Sequence, residues 1–154
     1  MTNNLHIISL LGGRLSVLAL LGLALLAPTH AQGLERSSKR LKATKVCPRC
    51  DLSQADLTGI DLGKADLRHS VLWGVGLKET NLKGADLSGA IMYGADLSGA
   101  DLSGAKLYGT YLNEANLSGA NLSGAILWGT VLFKANLKGV DMSGASMKDV
   151  NLKG

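Results

Sequence analysis

The chain has 154 residues, 20 glycines, only 2 prolines and 4% aromatic residues, with a formal net charge of +4. Its length suits one domain, and its glycine-rich, aromatic-poor composition is unlike that of an ordinary globular one. Residues 32–49 carry six Lys/Arg (Arg36, Lys39, Arg40, Lys42, Lys45, Arg49) against Glu35, whereas from Cys50 onward eleven acids outnumber nine cations, so the basicity belongs to a short arm and nucleic acid is not expected as the body's partner.

Residues 1–31 read as an export signal. Arg14 precedes the apolar run Leu15–Ala27, and Thr29 and Ala31 supply the small residues a signal peptidase needs for cleavage after Ala31. As a retained anchor the run is too short to cross about 30 Å of hydrocarbon. The expected location of the mature protein is therefore a periplasm, a lumen or the extracellular space.

Residues 32–49 form the basic segment. Leu34 to Val46 is expected to be a short helix, with Leu34 and Leu41 a helical seven apart. The six cations suit attraction to anionic lipid, glycan or nucleic acid, or simply the solvated face of a cap; the second reading is preferred. Cys47 and Cys50 make a C-x-x-C pair. An oxidising compartment favours a disulfide, zinc would need two further ligands, and a thioredoxin-like role would need a βαβ context. Spacing alone leaves a reduced pair open.

Residues 50–154 divide into twenty-one pentapeptides without an insertion. The central residue, or hub, is Leu except at Met92, Met142 and Met147. Two residues before it sits a small residue, usually Ala, and two after it most often Gly. A period of five fits neither helix nor flat strand. It fits three extended residues followed by a two-residue corner, with the small residue and hub pointing inward and the residue between them outward. Glycine suits the corner, where a positive φ is needed.

The phrase A(D/N)LSG, as in Ala85–Gly89, Ala95–Gly99 and Ala115–Gly119, resembles the repeat of the pentapeptide-repeat family. The resemblance covers residues 50–154 and implies an all-β solenoid: a right-handed quadrilateral β-helix of about five coils, four pentapeptides to each. Exported members of that family carry an N-terminal segment similar to this one, so the helix is expected to cap the first coil and the disulfide to pin it there.

Four repeats per coil place residues twenty apart on one face. The first face then stacks Val71, Ile91, Tyr111 and Val131 as an outward apolar ladder, with Trp73, Tyr93 and Phe133 beside it; the adjoining face adds Tyr108, Ile126 and Trp128. The other two faces carry Asp or Asn at nine outward positions (Asp56, Asp61, Asn81, Asp96, Asp101, Asn116, Asn121, Asn136 and Asp141) and no aromatic residue. Two readings stand: neighbour contacts that only stabilise the ladder, or an apolar strip that docks a protein partner, a second copy or the basic arm. At the far end Met142, Met147, Val150 and Leu152 would line an exposed last coil, and dimerisation through C-terminal ends among relatives makes a tail-to-tail homodimer a further expectation. No nucleophile–base set stands outside the repeat, and His69 is a lone corner residue. The expectation is a non-enzymatic interaction or scaffold module without cofactor or metal. The family's DNA-mimic binding of a type II topoisomerase is the alternative, disfavoured by the near-neutral rod and the export signal.

Overall fold

The computed structural model describes residues 29–152. Most of the proposed export signal, residues 1–28, lies outside the described residues. Helix α1 spans Thr29–Thr44. It begins five residues before the expected Leu34 and stops short of Val46, which corrects the expected span at both ends. The stop has a local cause. Lys45 takes φ 56°, the left-handed conformation that ends helices, while the Thr44 hydroxyl donates to the Arg40 carbonyl and accepts from the Val46 amide. Val46 is then free to pair with Asp66 as the first parallel bridge.

From Val46 to Asn151 every bridge joins a residue to the one twenty positions on. Each side of the coil is so short that one residue per side makes the bridge. Around Leu97 the pattern is typical. The Leu97 amide donates to the Asn116 carbonyl at 2.7 Å, the Gly99 amide to Ser118 at 2.9 Å, and the Ala100 amide closes the corner on the Leu97 carbonyl at 3.0 Å. The last bond closes a four-residue turn, and a positive φ at its third residue, as at Gly99 (φ 66°), makes it type II. That residue has positive φ at every corner from Arg49 to Asp149, and most of them are glycine. The twenty-residue register with a corner every five residues fits the quadrilateral β-helix expected from the sequence.

The axis is filled by the hubs. Leu52 through Leu132 are 0–2% exposed, flanked by inward Ala residues. Where the inward small residue is polar, its hydroxyl is satisfied by backbone: Thr80, Thr110 and Thr130 donate to the carbonyls of Leu57, Leu87 and Leu107. The two ends differ sharply. Under α1, whose Leu41 joins the core, Leu52, Leu57, Leu62 and Leu67 are all 0% exposed, but Met147 and Leu152 in the last described coil are 47% and 54% exposed. The helix caps the first coil, as a solenoid's terminal core requires.

Candidate functional site

The residue just before each hub decides what the corner can do. Where it is Asp or Asn, its Oδ1 accepts the backbone amide two residues on, as Asp96 does from Ser98 at 3.0 Å and Asn121 from Ser123 at 2.9 Å. This local ring is an Asx turn. It explains why the phrase reads A(D/N)LSG: the side chain points outward yet satisfies an amide that the coil leaves free. Neighbouring coils extend these groups into ladders, with the Asn116 amide group donating to Asp96 and that of Asn136 donating to Asn116. The carboxylates gain from accepting. Hydrogen bonds from the Ser103 hydroxyl and amide hold Asp101 below the usual carboxylate range, and those from Ser143 do the same for Asp141.

That depression sets a pH dependence. A carboxyl whose folded pKa lies below its unfolded value stabilises the fold above about pH 4, and the stabilisation is lost as pH falls through the folded value. We expect thermal midpoints that are level at neutral pH and decline in acid. Asp101→Asn, which keeps an acceptor but cannot titrate, should lower the neutral midpoint by the ionised carboxylate's contribution and shrink the acid decline by the same amount; an unaltered decline would disprove the assignment.

On two adjoining faces the pattern is broken. Bridges run Val71 to Ile91 to Tyr111 to Val131, so these four form one vertical ladder. None of them can accept an amide, so the rungs forgo the ring made elsewhere. Ile91 and Tyr111 are 43% and 50% exposed; Val71 and Val131 are half-buried. Trp73, Tyr93 and Phe133 stand exposed beside them at the next corner. Ile91, Tyr93, Tyr111 and Asn113 line a shallow groove. Around the other corner Tyr108 and Trp128 meet edge to face at 5.7 Å, with Ile126 half-buried below.

Polar groups that sequence reasoning did not single out anchor these aromatics. Hydrogen bonding to Glu114 pushes the Tyr93 phenol above its ordinary pKa range. Trp128 Nε1 donates to Ser146 Oγ at 2.6 Å. Lys134 Nζ lies 5.1 Å from the centre of the Phe133 ring, and Lys148 Nζ 5.8 Å from that of Trp128, within reach of a cation–π contact. Three of these four partners lie at corners, and Glu114 and Lys134 occupy positions the consensus gives to glycine. The Tyr93–Glu114 pair spans twenty-one residues and the Trp128–Ser146 pair eighteen, so the coil register could have suggested both.

The remaining sequence-derived residues fall at the ends. Cys47 and Cys50 form a disulfide, with Cys47 fully buried and Cys50 partly. Met142 and Val150 are half-buried and Met147 and Leu152 exposed in the last described coil. His69 sits exposed at its corner, its ring facing Gly89.

Comparison with known proteins places this geometry. A pentapeptide repeat protein from the cyanobacterium Cyanothece 51142 superposes with a TM-score of 0.60 at 26% identity, over 77% of this chain and 99% of that one. One from Nostoc Pcc 7120 gives 0.56 at 29% identity, over 77% and 94%. A pentapeptide repeat protein of the Arabidopsis thaliana thylakoid lumen is 33% identical over 73% of this chain and 68% of its own, with a TM-score of 0.43. A comparison with curated proteins gives no match. The model of the pentapeptide repeats matches residues 49–84, 80–119 and 115–154, and the chain belongs to the pentapeptide-repeat family.

Proposed function

We propose that this protein is an exported, non-enzymatic rod of about five coils that docks a protein partner through the strip on its two apolar faces. The supporting observation is the forgone hydrogen bond. At Val71, Ile91, Tyr111 and Val131 the chain gives up an Asx ring that Asp or Asn makes repeatedly elsewhere, and it exposes apolar surface in return. Two unfavourable choices repeated on one face are explained by a surface that is covered in use. The near balance of acids and cations from Cys50 onward does not suit DNA mimicry. The disulfide supports an oxidising compartment, which fractionation of cells for the mature chain would test.

The strip makes a two-sided prediction. Combining Ile91→Asp with Tyr93→Ser restores the A-D-M-S-G phrase, so the ring gained offsets the Tyr93–Glu114 bond lost and the rod should keep its stability to within about 1 kcal/mol. The same variant should lose the protein cross-linked to the wild-type chain in the envelope fraction. A destabilised rod, or an unaltered cross-linking pattern and elution volume, would overturn the reading. Exposed Met147 and Leu152 support pairing of two copies, tail to tail, as a second reading. A monomer in sedimentation at micromolar concentration would dispose of it.

A further inference from the structure

We propose that the outer face of the capping helix is a docking surface for an anionic bilayer, recognising headgroup phosphates by charge. The inference is independent of the apolar strip. Buried Leu41 and half-buried Leu34 and Ser37 fix which side of α1 faces the core. At about 100° per residue, Arg36, Lys39, Arg40 and Lys42 then fall on the opposite arc. All four are exposed.

What separates them from the rest of the molecule is density: four cations stand against one acid on the helix, whereas from Cys50 onward the cations, some paired and some not, are outnumbered by acids. Lys45 pairs with Asp61, Arg68 with Asp66, Lys78 with Glu79 and Lys106 with Asp86. Among the described residues none of the four helix cations has a carboxylate within ion-pair distance, though Lys42 helps to hold the Asp56 carboxyl below its usual range, behind the hydrogen bonds from Thr58. Glu35 is the one acid on the helix. The surplus is therefore concentrated on one convex face rather than spread over the molecule.

A bilayer suits this face better than a single small anion. The four side chains diverge over an arc instead of converging on a point, and a sheet of phosphates is the target that divergent cations can engage together. In the sequence the helix follows the apolar run Leu15–Ala27 directly. The attraction is electrostatic and does not require that run. No described helix is long and apolar enough to cross a membrane.

The test uses the full chain in vesicle flotation with phosphatidylcholine alone or mixed with phosphatidylglycerol, at low and high salt. We expect at least tenfold stronger binding to the anionic vesicles at low salt, and loss of that preference at high salt, where screening shortens the reach of exposed charges. The quadruple variant Arg36→Gln, Lys39→Gln, Arg40→Gln, Lys42→Gln should bind both vesicle types alike, whereas Lys83→Gln with Lys138→Gln on the rod should behave as wild type. Equal binding of the wild-type chain to both vesicles overturns the proposal without reference to any variant. So does a preference that survives in a folded quadruple variant, or tighter capture by heparin or duplex DNA than by the anionic vesicles.

Discussion

Truncating a hub in the middle of the rod, Leu97→Ala, is expected to lower unfolding stability by about 2–5 kcal/mol, the range for deleting a fully buried leucine side chain. Leu97 is 0% exposed, with hubs in the coils above and below it. The coil cannot collapse into the space, because its backbone is bonded to both neighbours: the Leu97 amide to Asn116 and the Asp96 amide to the Val75 carbonyl at 3.0 Å. The same truncation at Leu152, 54% exposed, should change stability little. Urea unfolding of the two variants gives the comparison. Equal losses at the two positions would mean that hubs do not draw their stability from stacking, which would undo the account of the core.

Breaking the disulfide is expected to have the next largest effect. In the chain-entropy account, a loop closed across about four residues contributes about 2 kcal/mol. The link sits where the cap meets the coil. The Cys47 amide donates to the Asp66 carbonyl, and the Asp66 amide donates back to Lys45, both at 2.8 Å. Cys47 Sγ also lies 3.5 Å from the Ser37 carbonyl oxygen of α1. Cys47→Ser with Cys50→Ser, or reduction of the wild-type chain, should therefore lower the thermal midpoint. Amides of α1 and the first coil should lose hydrogen-exchange protection before those around Leu97. A midpoint indifferent to reductant would show that packing and backbone bonding hold the cap without the disulfide.

Much of this architecture is legible in the residues because the period of five carries two messages. The hub and the small residue before it give the inside, and four repeats per coil give the vertical neighbours, so the ladder from Val71 to Val131 can be written down before any coordinates. The helix boundary is less legible. A reading that ends a signal at Ala31 sets its start too late. The state of Cys47 and Cys50 depends on which side chains the backbone brings together, and spacing is silent on that. The Asx rings were hidden for another reason. Outward Asp and Asn look like solubilising residues until the coil shows that the amide two positions on lacks any other partner. That knowledge turns Ile91 from an odd letter into a choice made against a local bond.

The bridges between residues twenty apart also govern how such a molecule tolerates change in length. Duplicating one whole circuit would extend it while leaving every downstream side chain in phase with those above. Adding a single five-residue unit after Gly94 would instead rotate everything beyond it by a quarter revolution, carrying Tyr111 and Val131 away from Val71 and Ile91 although no contact on the axis need be lost. Stability and surface chemistry are thus geared to different units of sequence, five residues for the one and twenty for the other.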